Sequence, residues 1–565
     1  MFRTVRLLSD HFRATKNKGA ENQPLAFDLV GMTRLELATS RPPDACANQL
    51  RYIPSFANHF CIAGAKLHII CENCKFFVDI FGGLLRFVAF FVLLSSLFRD
   101  SILTDRPSSR AHGFIIIVIC FVIYPISATF VVRNTDTTLS NTTKPDMQYE
   151  VTASSRLNLT VDLPSSKSVS NRALIIHALA GGGEMPQNLS DCDDTRVMMD
   201  ALSSMPDIID IGAAGTAMRF LTAYLAVTSG SHILTGTERM RHRPIGVLVD
   251  ALRRLGADIT YMGEEGFPPL RVNGRPLDGG PLEIEGNVSS QYISALLMIG
   301  PALRHGLTLR LTGDVISRPY IDMTLWMMGE FGAEAEWTDA STIEVKARPY
   351  TPRPYCIEND WSSASYWYEL VALGPEDSAV TLTGLKDSSK QGDSSVRYIF
   401  SLLGVKTEFC GAVDHNRPTT VRLTRNGRRV PRLEYDFVNS PDLAQTVVAC
   451  CAAMNMPFHF TGLQTLKIKE TDRIEALKAE LLKLGYVLRD IDGRELLWDG
   501  TRCEPQPDPV VETYNDHRMA LAFAPLAMCR ERMVIDNPMV VTKSYPHYWE
   551  DLAKAGMEIR VKNEK

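Results

Sequence analysis

Ten residues, Leu163–Arg172, combine basic and hydroxyl side chains in a spacing that suits anion binding. They read LPSSKSVSNR, which predicts the end of a strand, a Pro-Ser-Ser turn and the start of a helix. Lys167 and Arg172 flank that start, where backbone N–H groups and the helix dipole also favour an anion. An ordinary helix N-cap with incidental basic residues would have the same composition. The segment therefore predicts either an anion site or a plain cap.

Two further segments place small or hydroxyl residues ahead of an apolar helix. Gly212–Arg219 (GAAGTAMR) is a turn in which backbone amides near Gly215 could approach an anion, although tight packing would select the same residues. Val288–Met298 (VSSQYISALLM) offers two serines and a glutamine, groups that suit a phosphate or a sugar-like hydroxyl. A plain cap would explain one of those serines but hardly all three polar residues.

Three charged segments could supply acids, bases and more cations. On a helix start, Lys469 and Arg473 of Lys467–Arg473 (KIKETDR) would share a face, although a solvated charged face has the same pattern. Tyr514–Arg518 (YNDHR) stands at the mouth of an apolar helix. Asn439–Asp442 (NSPD) puts a carboxylate at the start of another apolar run, where a helix dipole favours an ionised acid.

Together these segments predict a site with many Lys and Arg side chains and a few carboxylates. No metal-ligand triad and no nucleotide fingerprint accompanies them, and the absence of GxxxxGK[ST] disfavours a P-loop kinase. Such a site suits a reaction between two polyanions, whose mutual repulsion must be neutralised while a proton is moved.

A repeated strand–loop–helix–strand unit would position these segments. Thr-Gly dipeptides at 235, 312, 383 and 461 each end a predicted strand and precede a polar loop and a helix that ends near Leu-Gly. The four predicted helices are Ile245–Gly256, Tyr320–Gly332, Val396–Gly404 and Ile474–Gly485. The strands predicted to follow them are, in the same order, Ala257–Tyr261, Ala333–Trp337, Val405–Phe409 and Tyr486–Leu488. Looser copies run over Asn188–Ile208 and Asn537–Arg560. Six copies suit two globular domains of three units each, although any α/β protein alternates strands with helices.

The loops after the Thr-Gly turns carry several of the charged clusters. Four of the units carry such clusters at equivalent positions, which are Arg239–Arg243, Ser317–Tyr320, Lys467–Arg473 and Lys543–Tyr545. Loops on equivalent edges would gather at one face of each domain. Two such faces opposed would form a cleft, which is where we expect the site.

Composition is typical of a globular, reduced protein. The chain has 565 residues, 45% hydrophobic and 22% charged, and its net charge of −5 argues against non-specific nucleic-acid binding. Its 12 cysteines are scattered, which does not indicate a disulfide framework. We expect a cytoplasmic monomer with no cofactor and no metal.

Residues 1–146 differ from the rest of the chain. They include two apolar runs, 76–98 and 114–132, of which the second is uncharged and long enough for a membrane helix. Gly31–Pro54 looks like the translation of a tRNA gene region. We therefore expect a translation start placed too early, with Met147 as the true start. The alternative is a genuine membrane-anchoring extension, and membrane association is expected only if these residues are translated.

The ordered motifs resemble one family. LPSSKSVSNRA, GAAGTAMR, RPIGVLVDAL, SSQYISALLM, SRPYID, KETDR and YNDHRMA occur in the order typical of 5-enolpyruvylshikimate-3-phosphate synthases, and the resemblance covers Met147–Lys565. It implies an α/β fold, a two-domain inside-out α/β barrel with three βαβαββ units in each domain and a cleft between the domains. The expected domains are 147–163 plus 358–565, and 164–357.

The resemblance also implies roles for individual residues. Shikimate-3-phosphate would contact Lys167, Ser168, Arg172, Ser289, Ser290, Gln291, Ser317, Asp442 and Lys469. Phosphoenolpyruvate would contact Lys167, Gly215, Arg243, Gln291, Arg473, Arg518 and Lys543.

The implied reaction is addition–elimination. The 5-hydroxyl attacks C2 of phosphoenolpyruvate as C3 is protonated, and the tetrahedral intermediate then loses phosphate and a methyl proton. Asp442 is the expected base at the hydroxyl and Glu470 the expected acid at C3, while Lys167 and Lys543 are also placed to move protons.

Two rival interpretations remain. UDP-N-acetylglucosamine enolpyruvyl transferases have a similar fold and donor, but that family uses a loop cysteine and an early Lys-Asn pair where this chain has Lys167-Ser168. A membrane-anchored, non-catalytic binding protein is supported only by the apolar run 114–132.

Overall fold

The computed structural model describes residues 25–29, 33–39, 59–62, 65–69, 147–153, 156–411 and 418–562. The chain divides into two compact units, Met1–Asn141 and Thr142–Lys565. Both predicted apolar runs, 76–98 and 114–132, lie outside the described residues. Within the described part of the chain, no helix has the length and apolarity needed to span a bilayer.

The first unit contains one described antiparallel sheet. Its strands follow the order β1-β2-β4-β3 and are β1 (Leu25–Leu29), β2 (Thr33–Thr39), β3 (His59–Ile62) and β4 (Ala65–Ile69).

The second unit is a mixed α/β structure. Its strands are β5 (Gln148–Thr152), β6 (Asn158–Asp162), β7 (Ile208–Asp210), β8 (Gly230–Thr235), β9 (Asp258–Tyr261), β10 (Leu270–Gly274), β11 (Gly280–Glu285), β12 (Leu307–Thr312), β13 (Ala335–Trp337), β14 (Thr342–Val345), β15 (Ala379–Leu385), β16 (Val405–Cys410), β17 (Thr419–Arg425), β18 (Leu433–Asp436), β19 (Phe458–Thr461), β20 (Arg489–Ile491), β21 (Glu495–Trp498), β22 (Val510–Val511), β23 (Met533–Asp536) and β24 (Glu558–Lys562). Its helices are α1 (Lys167–Leu179), α2 (Asp193–Ser204), α3 (Gly215–Val227), α4 (Glu238–Arg241), α5 (Gly246–Arg254), α6 (Ser290–Ile299), α7 (Arg318–Glu330), α8 (Trp361–Leu373), α9 (Val396–Leu402), α10 (Ala444–Ala453), α11 (Arg473–Lys483), α12 (His517–Phe523) and α13 (Tyr548–Lys554).

The helices are of two kinds, and composition explains both. Central helices such as α10 are buried along their whole length and are apolar on every side. Peripheral helices such as α5 bury one stripe, including Leu248 and Leu252, and expose the opposite face. Strands alternate between buried and exposed residues. In β12, Leu307, Leu309 and Leu311 are buried, while the residues between them are exposed.

One connectivity recurs in five four-stranded sheets of the described second unit. In the sheet β7-β8-β10-β9, the first two strands are parallel and the last two are added antiparallel. The sheets β11-β12-β14-β13, β6-β15-β17-β16 and β18-β19-β21-β20 repeat that pattern. The fifth sheet, β22-β23-β5-β24, takes β5 from the start of the unit as its third strand. The beginning of this unit is therefore built into the sheet that its end forms.

The buried apolar residues of the second unit form two clusters. The first draws on residues 151–163 and 361–557, and the second on residues 169–357. The chain passes between them at 163–169 and 357–361.

The predicted repeat agrees with the structure at most positions. Helices begin and end close to the predicted limits after all four Thr-Gly turns, and the copy over Asn537–Arg560 contains α13 and β24. The strand predicted at Tyr486–Leu488 is wrong: β20 begins at Arg489, because Tyr486 instead forms an isolated bridge with Arg502.

The copy predicted over Asn188–Ile208 is also only partly right. Helix α2 is present, but β7 pairs with β8 of the next sheet. The described residues near α2 form no further sheet. Their β-pairing consists of two isolated bridges, Ser165 with Asn359 and Gln187 with Cys356.

Candidate active site

The start of α1 holds two basic side chains of the predicted anion site. The helix begins at Lys167, and the Ser166 hydroxyl caps it by accepting from the Val169 N–H at 3.4 Å. Arg172 is buried, and its guanidinium donates to the Thr324 hydroxyl at 2.7 Å and the Ser294 hydroxyl at 3.1 Å. Burial lowers the pKa of Arg172 to about 10. Neutral partners thus hold this cation in place without cancelling its charge.

Lys167 has a carboxylate partner that the sequence analysis did not identify. Its Nζ lies 3.4 Å from Oδ2 of Asp194, which is in the first turn of α2. Burial alone would lower the pKa of Lys167, but the charges around it, Asp194 foremost, together outweigh burial and raise the pKa. Lys167 is therefore a fixed cation.

Hydroxyl and amide groups line the same cavity. Ser289 caps α6, and Ser290 and Gln291 form its first turn. The Gln291 amide donates to the Thr216 hydroxyl at 3.1 Å, which links α6 to α3. Ser317 precedes α7 with a left-handed backbone (φ 54°). These neutral donors stand among the cations and leave hydrogen-bonding capacity for an anionic ligand.

Arg473 joins three carboxylates. Its Nη1 lies 3.1 Å from Asp442 Oδ1, its Nη2 lies 3.0 Å from Glu470 Oε2, and its Nε lies 2.7 Å from Asp516 Oδ2. The residue is 1% exposed, and these carboxylates outweigh burial and raise its pKa. Arg473 therefore stays charged and fixes the positions of the acids.

Asp442 is surrounded by cations. Besides Arg473, its carboxylate lies 3.1 Å from Nη2 of Arg518 and 3.6 Å from Nζ of Lys469. Burial would raise the pKa of Asp442, but the three cations, Arg518 foremost, hold it well below its ordinary value. The carboxyl group of Asp442 is therefore ionised.

Glu470 has a second set of cations. Its Oε1 accepts from Lys543 Nζ at 3.0 Å and lies 3.8 Å from Arg243 Nη1. Burial would raise the pKa of Glu470, but Lys543, Arg473 and Arg243 hold it well below its ordinary value. Lys543 also donates to the Ala213 carbonyl at 3.0 Å, so this group ties the two apolar clusters together.

The helical interpretation of Lys467–Arg473 is wrong. Residues Gln464–Ile468 form a 3-10 turn, and α11 begins only at Arg473, because the Asp472 side chain caps it by accepting from the Glu475 N–H at 3.2 Å. Lys469 therefore shares no helix face with Arg473. Both still contact Asp442.

The cavity brings together nearly all the residues predicted for the site. Its lining includes Lys167, Ser168, Arg172, Gly215, Arg243, Ser289, Ser290, Gln291, Ser317, Asp442, Lys469, Glu470, Arg473 and Arg518. Lys543 is outside the lining but bonds to Glu470.

Some cavity residues escaped the sequence analysis. Arg219 is buried, with Nη1 donating to the Gly215 carbonyl at 3.0 Å, and the Tyr366 hydroxyl accepts from Arg518 at 3.3 Å. Asp393 is outside the cavity lining but lies 3.4 Å from the hydroxyl of Tyr320, which is part of it. Asp393 follows a Thr-Gly turn of the repeat, which is the one sequence signal that could have identified it.

The sequence comparisons identify the family. The sequence model of the family EPSP synthase (3-phosphoshikimate 1-carboxyvinyltransferase) matches residues 151–207 and 202–552 of this chain. The chain belongs to the EPSP synthase family. The 3-phosphoshikimate 1-carboxyvinyltransferase of Bacteroides fragilis is 58% identical over 418 residues, 74% of this chain and 100% of that protein. The protein of the same name from Shewanella woodyi is 35% identical over 422 residues, 70% of this chain and 96% of that protein.

Solved structures resemble this EPSP synthase family member in fold. The EPSP synthase from Acinetobacter baumannii aligns with a TM-score of 0.59 at 19% identity, over 74% of this chain and 100% of that one. The enolpyruvyl transferase NikO from Streptomyces tendae aligns with a TM-score of 0.57 at 15% identity, over the same shares. The family predicted from the ordered motifs is confirmed, and so is the mixed α/β fold.

Proposed function

We propose that this chain transfers the enolpyruvyl group of phosphoenolpyruvate to the 5-hydroxyl of shikimate-3-phosphate and releases phosphate. The observation that carries the proposal is the presence in one cavity of two ionised carboxylates, Asp442 and Glu470, which share Arg473 and each have further cations of their own. Two acids, each surrounded by cations, suit a reaction in which two polyanions are held together while one proton leaves an oxygen and another reaches a carbon.

The second unit would consist of two domains, 147–163 plus 358–565 and 164–357. Two separate apolar clusters support this division. The recurrent sheet connectivity supports an inside-out α/β barrel of three βαβαββ units in each domain. The cavity would then be the cleft between the domains, since Lys167 and Arg243 come from one and Asp442 and Arg518 from the other.

Shikimate-3-phosphate would lie against the start of α1 and α6. We assign to it the residues Lys167, Ser168, Arg172, Ser289, Ser290, Gln291, Ser317, Asp442 and Lys469. Arg172 supports the assignment because its neutral partners leave its charge free for a phosphate. Asp442 and Lys469 form an acid–base pair 3.6 Å apart that suits neighbouring hydroxyls.

Phosphoenolpyruvate would replace the carboxylates as partner of the remaining cations. We assign to it Lys167, Gly215, Arg243, Gln291, Arg473, Arg518 and Lys543. A side chain at Gly215 would meet the Arg243 guanidinium at 2.7 Å. The absence of a Cβ there therefore lets that cation approach the backbone at the start of α3.

The same exchange of partners explains how Glu470 could act as an acid. Its pKa is low because Lys543, Arg473 and Arg243 face it. A bound phosphate or carboxylate would neutralise those cations, and burial would then raise the pKa of Glu470. Glu470 would then take up a proton from water and could give it to C3, while Asp442 takes the proton of the attacking hydroxyl. Loss of phosphate and of a methyl proton completes the reaction.

Phosphate release tests the proposal. The full chain is incubated with phosphoenolpyruvate alone, with added shikimate-3-phosphate, and with added UDP-N-acetylglucosamine. Release that depends on shikimate-3-phosphate is the expected result. Release only with the nucleotide sugar would favour the rival acceptor, and no release with either would contradict an enolpyruvyl transfer.

A further inference from the structure

The Tyr320 hydroxyl lies between two carboxylates. Its oxygen is 3.3 Å from Asp442 Oδ2 and 3.4 Å from Asp393 Oδ1. A phenol has one proton and can donate to only one carboxylate at a time. The arrangement is fully hydrogen-bonded only when one of the two carboxyl groups carries a proton and donates it to the tyrosine oxygen. The three groups therefore form a hydrogen-bond chain in which both hydrogen bonds are made when one carboxyl group is protonated.

The two ends of the chain have different electrostatic surroundings. Asp442 faces three cations. Asp393 is 3% exposed and accepts from the Ser362 hydroxyl. Among the described residues, no Lys, Arg or His lies within 4.0 Å of its carboxylate. A proton on the chain is thus favoured at the Asp393 end.

The titratable groups that face Asp393 agree with this. They are Tyr320, Asp442, Asp360 and, at longer range, Arg518. Burial and the Asp442 charge raise the pKa of Asp393 to about 6, whereas that of Asp442 is well below its ordinary value. Burial raises the pKa of Tyr320 well above its usual range, so the tyrosine passes a proton without staying ionised.

Asp442 alone is a poor final acceptor for a hydroxyl proton. Its cations stabilise the carboxylate and so weaken its hold on a proton. A more basic group within the same hydrogen-bond chain makes the transfer more favourable. Asp393 is that group, and the tyrosine hydroxyl is the connection.

We propose that Asp393 receives, through Tyr320 and Asp442, the proton that the acceptor substrate's hydroxyl loses during the addition step. The inference rests on the proposed function. As the bond forms between the substrate oxygen and C2, the hydroxyl proton moves to Asp442. The Asp442 proton moves to the tyrosine oxygen while the tyrosine proton moves to Asp393. Asp442 is then ionised again, Tyr320 is neutral, and Asp393 holds the one proton transferred. After the products leave, the proton returns along the same chain to water in the cavity.

The loop that carries Asp393 is held in place. The Gln391 side chain accepts from the Ser166 hydroxyl at 3.0 Å and from the Trp361 N–H at 3.1 Å, and donates to the Asn359 carbonyl at 2.9 Å. These partners lie on both segments where the chain passes between the apolar clusters. The loop is therefore fixed to the part of the fold that aligns the two halves of the site.

Asp393→Asn and Tyr320→Phe test the relay by steady-state kinetics from pH 5 to pH 9. Each variant should lower kcat at pH 7.5 by about 10²-fold, with KM for both substrates changed less. Wild-type kcat should fall as the pH drops through about 6, because protonated Asp393 cannot accept. That acid limb should be missing in Asp393→Asn. The double variant should lose no more than either single one, because both break one chain.

Matched exposed positions provide the controls. Asp499→Asn and Tyr398→Phe make the same chemical changes at the surface and should leave kcat unchanged. Wild-type kcat and acid limb in Asp393→Asn would overturn the relay, as would additive losses in the double variant. If Asp393→Asn does not fold, Tyr320→Phe decides, since it removes only the bridging oxygen. A wild-type chain without acceptor-dependent phosphate release would instead overturn the proposed function.

Discussion

At the scale of single residues, Arg473 determines how the carboxylates of the cavity are arranged. It is buried and pairs with Asp442, Glu470 and Asp516. Replacing it with methionine keeps the volume but takes one cation from each of Asp442 and Glu470, and leaves buried Asp516 without a Lys or Arg partner among the described residues. We expect Arg473→Met to lower the free energy of unfolding by about 3–5 kcal/mol, the usual cost of breaking a buried ion pair. Denaturant titration measures this.

A surface arginine serves as the control for that change. Arg489 pairs with Asp499 at 2.6 Å, but both side chains are largely exposed. Arg489→Met should cost no more than about 1 kcal/mol, as is usual for exposed pairs. Equal losses for the two variants would contradict the central role of Arg473.

Glu369 is a second residue whose effect can be measured, through the pH dependence of stability. It lies inside α8 with 0% exposure, and in the described chain neither carboxyl oxygen has a hydrogen-bond partner. Burial raises its pKa well above the ordinary value of 4.5. The facing titratable groups are Cys450, Cys451, Cys529 and Tyr548, whose own pKa values are raised, so they stay neutral there. Glu369 is therefore held as an uncharged acid.

The pH dependence of stability follows from that raised pKa. Above pH 4.5 the unfolded chain loses the Glu369 proton while the folded chain keeps it, so the free energy of unfolding falls as pH rises through this window. The limiting slope for one proton is about 1.4 kcal/mol per pH unit. Glu369→Gln cannot ionise, so its stability relative to wild type should increase from pH 5 to pH 8. Denaturant titrations at both values measure this, and parallel pH profiles would contradict it.

At the scale of elements, the Thr-Gly turns allow a matched comparison. Gly313 and Gly462 both have left-handed backbones, with φ of 69° and 73°. A Cβ at Gly313 would meet nothing within 4 Å, whereas one at Gly462 would collide with Asp436 and the Val438 backbone. We expect Gly313→Ala to cost about 1–2 kcal/mol from backbone strain. Gly462→Ala should cost about 1–3 kcal/mol more from the collision. Thermal unfolding measures both, and equal losses would show that the neighbours move aside freely.

These elements also show how far the sequence can predict the structure. The start of α1 at Lys167 and the capping of α6 by Ser289 follow local rules, so both were predictable. The repeat placed the start of α11 within one residue, at Ile474, but the interpretation of Lys467–Arg473 as a helix was wrong, because the Asp472 side chain caps α11 at Arg473. The pairing of β7 with β8 depends on contacts between units and has no local signal.

The same distinction applies to the site. Basic and hydroxyl residues at helix starts were identifiable because the helix end itself favours anions. Asp194 and Asp393 were not, since their partners Lys167 and Tyr320 are distant in sequence. Ordered motifs supplied what local chemistry could not, because they indicate a whole family rather than one contact.

At the scale of the whole molecule, ligands must reach a cavity whose charged groups are mostly buried. In the two-domain proposal the domains separate to admit them, and contacts across the gap then favour the closed form. Two such contacts lie away from the cavity lining. His547 Nε2 is 3.0 Å from Asp191 Oδ2, and the Thr542 hydroxyl donates to Asp193 Oδ2 at 2.6 Å.

Removing one of these contacts should raise KM for the substrates more than it lowers kcat. Asp191→Ala leaves the cavity lining intact but removes a partner of His547 that lies in the other proposed domain. Exposed pairs contribute up to about 1 kcal/mol, so KM should rise by as much as about fivefold while kcat changes little. Glu550→Ala removes the other partner of His547, at 3.2 Å within the same domain, and should change neither constant. Equal effects of the two variants, or a loss confined to kcat, would show that the His547–Asp191 contact does not favour closure.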